Sequence, residues 1–193
     1  MGSGRQLNRA AGASRIRRGA AVGVVVALVA GCGSSSSSTS SSTGSSATAS
    51  TSAGAPTKAE FIARADSICR QSKTKYDPQV KAAKAALSAE QKQDSAANRH
   101  ALGAALNQEA QIAATVLNQL RALQPPPGDG ATIGSYFDSV GTNINLAHQF
   151  VNAIDNNNVQ ALQTISQQLN RVTATAERQA KSYGFKVCGS GTA

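Results

Sequence analysis

The sequence predicts an all-α protein, folded as an antiparallel up-down four-helix bundle in residues 57–193. From residue 57 onward, apolar residues recur at intervals of three and four, which is the period of amphipathic helices. Turn-forming residues at 124–130 and 155–158 separate these helical segments from one another. No run of alternating apolar and polar residues predicts a β-strand in this part of the chain.

The first helix is predicted to begin at Thr57, where Thr57-Lys58-Ala59-Glu60 matches a capping box. Asp77-Pro78 interrupts this helix and leaves two alternatives, either a kink or a new helix start with Pro78 at its first position. The face predicted to be buried carries Phe61, Ala65, Ile68, Cys69, Ser72 and Tyr76 before the interruption, and Val80, Ala83 and Leu87 after it.

The second helix is predicted to begin within 89–96 and to end at Leu123, before the Pro-Pro-Pro-Gly run at 125–128. Its apolar positions are Leu102, Leu106, Ala113, Val116, Leu120 and Leu123. The third helix carries a coiled-coil-like seam of Ile133, Phe137, Val140, Ile144, Ala147, Val151 and Ile154. The Asp-Asn-Asn-Asn run at 155–158 predicts a tight turn. The fourth helix carries Leu162, Ile165, Leu169, Val172, Ala176, Ala180 and Tyr183, and Gly184 is predicted to cap its end.

Residues 1–31 are typical of a removable export signal. Five arginines and no acid precede an uncharged run of Val and Ala over 19–30, which is shorter than the roughly 20 residues that span a membrane. The run ends in Val29-Ala30-Gly31-Cys32, which resembles the lipobox of bacterial lipoproteins. The resemblance implies attachment of a diacylglycerol, with acyl chains such as palmitate, to the Cys32 thiol through a thioether. It also implies cleavage after Gly31 and an extracytoplasmic, membrane-anchored location in a bacterial envelope.

Residues 32–56 are predicted to be a disordered tether behind the acylated cysteine. Between 33 and 55 the chain contains only Ser, Thr, Gly and Ala, and 16 of these 23 residues are Ser or Thr. Such a segment has no apolar surface to bury and is not expected to fold. Two interpretations stay open, a plain spacer and a stalk that carries O-linked sugars.

The three cysteines predict one disulfide bond. Once Cys32 is assigned to the lipid, Cys69 and Cys188 remain, and an exported protein matures in an oxidising compartment that favours their pairing. A redox or metal-binding thiol pair is disfavoured because the chain has no Cys-x-x-Cys motif. With helices of equal length, the chain after Gly184 must turn back along the first helix for Cys188 to reach Cys69.

A wider resemblance follows from these segments. The lipobox, the Ser/Thr tether, the start Thr-Lys-Ala-Glu-Phe-Ile with a cysteine shortly after it, and the closing Tyr-Gly-Phe-Lys-Val-Cys-Gly resemble small Ala-rich lipoproteins of actinobacteria. The resemblance covers the whole chain, and its specific motifs are the lipobox and the two terminal cysteines of the helical domain. It implies an envelope location and a disulfide, and it implies no biochemical activity.

The charge pattern disfavours a nucleic-acid partner. The whole chain has 19 basic and 10 acidic residues, but five of the basic residues lie in the export signal, which leaves 14 against 10. Residues 58–84 carry the entire remaining excess, with seven basic and three acidic residues. Two interpretations of this segment are a solvated face and a surface that attracts anionic lipids or acidic cell-wall polymers. The candidate basic surface consists of Arg70, Lys73, Lys81 and Lys84.

One pair of polar residues is predicted to lie inside the bundle. Glu109 falls in the middle of the apolar face of the second helix, between Leu106 and Ala113. A hairpin that turns near residue 127 places Glu109 level with Leu146, which is within one turn of His148. The pair is interpreted either as a structural contact or as the polar lining of a small pocket between helices.

These observations predict a non-enzymatic binding or accessory module, held at the outer face of a membrane by its lipid. Envelope proteins and anionic polymers are the candidate partners. The alternative is a small-molecule carrier with a pocket near Glu109 and His148. No catalytic motif, no metal-binding motif and no cofactor motif is found in the sequence, so neither catalytic residues nor a cofactor is predicted.

Overall fold

The computed structural model describes residues 54–189. They form four α-helices, which are α1 (Lys58–Lys92), α2 (Ala96–Arg121), α3 (Gly130–Asp155) and α4 (Val159–Tyr183). Residues 54–189 contain no β-strand, and the predicted all-α four-helix bundle is confirmed. The predicted export signal, the lipid site Cys32 and all but the last residues of the tether lie outside the described part of the chain.

The start of α1 is the predicted capping box. The hydroxyl of Thr57 accepts the backbone N–H of Glu60 at 3.3 Å, and the Glu60 carboxylate accepts the backbone N–H of Thr57 at 2.8 Å. That second hydrogen bond lowers the pKa of Glu60. Because two otherwise unpaired helix-start N–H groups are satisfied, the helix begins at a defined residue.

α1 runs without a break through Pro78. The alternative of a second helix start at Asp77-Pro78 is therefore wrong. Proline has no N–H to offer the carbonyl of Thr74 one turn earlier. Both Thr74 and Pro78 are exposed. Water can therefore donate a hydrogen bond to the Thr74 carbonyl in place of the missing N–H, and the helix tolerates the proline.

The three connections are short, and a side chain caps the following helix in two of them, before α2 and before α4. Ser95 caps α2 by accepting the backbone N–H of Asn98 at 3.1 Å, and Asn158 caps α4 by accepting that of Ala161 at 3.0 Å. Asn157, in the predicted tight turn, has a positive φ of 49°. Gly184 ends α4 with a φ of 108°, as its predicted capping role requires. Short connections make successive helices antiparallel neighbours.

Three sides of the bundle are packed and the fourth is looser. α1 packs against α2, α2 against α3, and α3 against α4, whereas α1 and α4 approach each other at few positions. α1 has 35 residues and the other helices have 25 or 26, so α1 also extends farther than its neighbours. None of the described helices is long and apolar enough to span a membrane.

The buried apolar residues form three clusters rather than one. The largest lies at the end of the bundle where α1 begins and α4 ends, and Phe61 at its centre is 1% exposed. At the other end, one cluster joins α1, α2 and α3, and a separate cluster joins α3 and α4. Phe150 packs against both of these smaller clusters. The core is thus continuous at one end and divided at the other.

Candidate ligand-binding cavity

The C-terminal segment closes one end of the bundle through a disulfide. Cys69 on α1 is bonded to Cys188, with their Cα atoms 5.5 Å apart, as predicted. After Gly184 the chain turns back toward α1, as the sequence requires for the two cysteines to meet. The ring of Phe185 packs among aromatic neighbours, with centroid distances of 5.1 Å to Tyr183 and 5.4 Å to Tyr136. The segment is therefore held by apolar packing as well as by the covalent bond.

A buried carboxylate that the sequence analysis missed fixes this segment. Asp66 is 3% exposed, and its two oxygens accept the backbone N–H groups of Lys186, Val187 and Cys188, each at 2.9 Å. Three hydrogen bonds from backbone donors compensate for the burial of the charge. The sequence feature that could have indicated this role is an acidic residue one helical turn before Cys69, on the same face of α1.

A cavity of about 330 Å³ lies between the four helices, next to this closed end. Every helix contributes to its lining, and Cys188 and Gly189 close one end. Most lining side chains are apolar, among them Leu106, Val140 and Leu169. The cavity occupies the region where the continuous core gives way to the two separate clusters. A wider depression of about 640 Å³ between α3 and α4 is an open surface feature whose lining residues are mainly polar and include Asp138 and Arg171.

The cavity opens between α1 and α4. On α4, the lining residues Asn170, Ala174 and Glu177 recur at helical spacing and are exposed to solvent. On α1, the lining residue Tyr76 is only partly buried. This is the loosely packed side of the bundle. A mouth at this position connects the apolar interior directly with solvent.

Glu109 is an ionisable group in the cavity lining. It is partly buried, and loss of hydration raises its pKa to about 7. Within residues 54–189 it has neither a hydrogen bond nor an ion pair. Burial and the nearby negative charge of Glu109 both raise the pKa of Tyr76, which lies across the cavity on α1. The cavity thus holds a carboxyl group that nothing in the described chain neutralises.

The predicted contact between Glu109 and His148 is not formed. His148 Nδ1 lies 3.1 Å from Oδ1 of Asn107 and does not line the cavity. The predicted level is correct, because a hairpin that places Glu109 level with Leu146 also places Asn107 level with His148. The predicted rotation of α2 about its own axis is wrong. Residues two positions apart on a helix point in nearly opposite directions, about 200° apart. Because Asn107 points toward α3, Glu109 points toward α1.

Several other polar lining groups are paired within the protein. Asn143 on α3 donates from its side-chain amide to the hydroxyl of Thr173 on α4 at 2.6 Å. The hydroxyl of Ser72 donates to the carbonyl of Cys69 at 2.7 Å, and that of Ser166 donates to the carbonyl of Leu162 at 2.7 Å. These groups have partners already, whereas Glu109 is a partly buried carboxyl group of the lining with no hydrogen bond or ion pair within residues 54–189.

The four residues of the candidate basic surface are exposed on α1. Because α1 is uninterrupted at Pro78, Arg70, Lys73, Lys81 and Lys84 belong to one continuous helix. Lys73 forms an exposed ion pair with Asp77 at 3.1 Å, so part of the positive charge is offset locally. The basic residues take no part in lining the cavity.

Comparison with protein-family models, with curated protein sequences and with solved structures finds no match to this chain. Within residues 54–189 no group of three or more His, Cys, Asp or Glu side chains is placed to hold a metal ion. The arrangement that the described chain does provide is an apolar cavity with one open side and, in Glu109, a partly buried carboxyl group that has no partner within residues 54–189.

Proposed function

We propose that this chain is a lipid-anchored envelope protein whose helical domain binds a small, mainly apolar molecule between its helices. The observation that carries this proposal is the cavity of about 330 Å³ at the centre of the bundle. Sites for small molecules are typically concave, mostly apolar and furnished with a few polar groups. Of the two functions expected from the sequence, the cavity supports the carrier, although Glu109 rather than His148 supplies its polar group.

The surface of the described helices gives less support to an apolar docking site for a protein partner. Val159 is the one large apolar residue in the described part of the chain that is clearly exposed, at 52%. A single exposed apolar side chain is ordinary for a folded domain, whereas docking surfaces present contiguous patches. A carrier therefore accounts for more of the structure than an apolar docking module does.

Native mass spectrometry of protein extracted gently from its own membranes tests the carrier function. We expect a mass that includes acyl chains, lacks residues 1–31 and carries an additional small molecule that leaves on denaturation. Ala113, in the cavity lining, is replaced by Phe to fill the space, and Ala104, exposed on the same helix, is replaced by Phe as the matched control. The carried mass should disappear only in A113F. A bare protein that also binds no added apolar probe would contradict the proposal.

The basic face of α1 supports a second role that is compatible with the first, which is contact with anionic lipid headgroups. Its four residues are exposed on one uninterrupted helix. Residues 32–193 carrying Cys32→Ser, which lack the arginines and the apolar run of the predicted export signal, should sediment with anionic phospholipid vesicles and not with neutral ones. Replacement of Arg70, Lys81 and Lys84 by Gln should abolish this binding, and equal sedimentation of both proteins would exclude the role.

A further inference from the structure

We infer that the molecule bound in the cavity is a cationic amphiphile, whose apolar body lies between the helices and whose ammonium head lies against the carboxylate of Glu109. The inference deepens the proposed function and depends on it. It assigns the chemical class of the ligand, the residue that selects it, and the gap between α1 and α4 as its route of entry.

The charges around the cavity are all of one sign. Among the residues that line it, the ionisable carboxyl groups are Glu109 in the interior and Glu177 at the mouth, and no Lys, Arg or His is present. An anionic head placed beside Glu109 would bring two negative charges together in a poorly hydrated space, where their repulsion is strong. A cation is attracted by both acids, first at the mouth and then inside.

The unpaired state of Glu109 favours a cation over a neutral ligand. Burial of a carboxylate among apolar side chains costs free energy unless a partner restores the lost hydration. The described protein supplies no such partner, since only desolvation shifts the pKa of Glu109. A neutral ligand leaves that cost in place, whereas an ammonium group offsets it with a charge-assisted hydrogen bond or ion pair.

The aromatic lining adds to this preference. Tyr76 lies close enough to Glu109 for the carboxylate to act on its hydroxyl, and the rings of Tyr136 and Phe150 also line the cavity. Aromatic faces attract ammonium groups, most strongly where water is excluded. A carboxylate beside an aromatic ring is therefore a suitable receptor for a primary or quaternary ammonium head.

The volume sets the size of the ligand. At about 30 Å³ for each water in the liquid, a cavity of about 330 Å³ would hold roughly ten waters. That space accommodates an organic molecule of about ten to fifteen non-hydrogen atoms. A ten-carbon alkyl chain with a single polar head is in this range.

The test compares three probes that differ only in the head group, namely decylamine, 1-decanol and decanoate. Binding to the full chain carrying Cys32→Ser is measured by titration calorimetry at pH 8, without detergent. We expect decylamine to bind at least about tenfold more tightly than 1-decanol, and decanoate to bind most weakly, since a tenfold difference corresponds to about 1.4 kcal/mol.

Glu109→Gln keeps the shape of the side chain and removes its charge. We expect this variant to bind decylamine about tenfold more weakly and 1-decanol within twofold of the unchanged protein. Glu177→Gln removes the same charge at the exposed mouth, where water screens it, and should weaken decylamine binding less than threefold. Equal losses in both variants would show that overall charge, rather than Glu109, selects the cation.

A pH series provides a second measurement that needs no variant. Decylamine should bind about tenfold more weakly at pH 6 than at pH 8, because the carboxyl group of Glu109 takes up a proton as the pH falls through about 7. The titratable residues that share the cavity lining with it are Tyr76 from α1, Tyr136 from α3 and Glu177 from α4. Histidine also changes charge in this range, so His148→Gln, which leaves the cavity lining intact, should keep the same profile.

The outcomes separate this inference from the proposed function. Equal affinities for the three probes, or the tightest binding for decanoate, would overturn the cationic ligand and leave a carrier of apolar molecules. A flat pH profile for decylamine would overturn the role of Glu109. Failure of all three probes, 1-decanol included, would overturn the cationic ligand and contradict the carrier function as well.

Discussion

Asp66 Oδ1 accepts the backbone N–H of Cys188 at 2.9 Å, across 122 residues of sequence. The same carboxylate also accepts the N–H groups of the two preceding residues. A buried acid on the first helix and a disulfide three positions later therefore hold the same C-terminal segment. This segment closes the end of the cavity, so the stability of the fold and the shape of the candidate site depend on one structural element.

Asp66→Asn should destabilise the protein by about 2–3 kcal/mol, because hydrogen bonds to a charged acceptor are stronger than those to an amide. The amide would also place its own N–H groups against one of the three donors. Urea unfolding with the disulfide intact measures the change. Asp77→Asn, which removes an exposed carboxylate paired with Lys73, is the control and should cost less than about 0.5 kcal/mol. Equal effects of the two changes would refute the anchoring role of Asp66.

Replacement of both Cys69 and Cys188 by Ser should lower the free energy of unfolding by about 4–5 kcal/mol in the chain-entropy account of disulfides. The bond closes a loop with a sequence separation of 119, and the unfolded chain without it gains conformational freedom. Denaturation midpoints with and without reductant provide the measurement. An unfolding curve of the unchanged protein that does not respond to reductant would disprove the expectation.

Glu109→Gln should change stability in a pH-dependent way. The pKa of Glu109 is raised to about 7 in the folded protein from 4.5, so the folded state holds the proton more tightly than the unfolded state. The contribution of protonated Glu109 to the free energy of unfolding is complete below pH 4.5 and is lost as the pH rises through about 7.

In unfolding experiments, the Gln variant should match the unchanged protein at pH 4.5 and exceed it by about 1–2 kcal/mol at pH 8, after allowance for solvent screening. His100→Gln, which alters an exposed side chain, serves as the control. A difference between the Gln variant and the unchanged protein that is the same at both pH values would rule out a buried titrating carboxyl group.

Gly189→Ala should destabilise the protein by about 1–3 kcal/mol. Gly189 has a φ of 83°, and a Cβ there would overlap the Cβ of Ala180 on α4. Gly134→Ala is a matched control of opposite sign, because Gly134 lies within α3 with open space around it and alanine favours a helix over glycine by up to about 1 kcal/mol. Thermal unfolding of both variants gives the comparison. A neutral G189A would mean that the turn after Cys188 is free to move.

Cys32→Ser should abolish labelling of the protein by alkyne-tagged palmitate in growing cells and shift it from the membrane to the soluble fraction. In the proposed anchor the thioether to the lipid needs the Cys32 thiol, and two or three acyl chains hold a protein stably at a bilayer. Cys69→Ser is the control and should keep the label. Persistent labelling of the Cys32→Ser protein would overturn the assignment of the anchor.

Features that depend on neighbouring residues in the chain could be predicted from the sequence. The capping box at Thr57, the tight turn at 155–158 and the cap at Gly184 each follow from local backbone chemistry. The helix count follows from the period of the apolar residues. The disulfide followed from counting cysteines, since only Cys69 and Cys188 remained to pair.

Features that depend on distant residues were decided by the tertiary structure. The level of α2 against α3 follows from the length of the connection, but the rotation that pairs His148 with Asn107 follows from packing on both sides of α2. Asp66 is buried because three N–H groups from the far end of the chain converge on it. The cavity opens on the side where α1 and α4 approach each other at few positions. An amphipathic pattern states which face of a helix is buried, whereas the separation of two helices depends on how all the side chains between them pack.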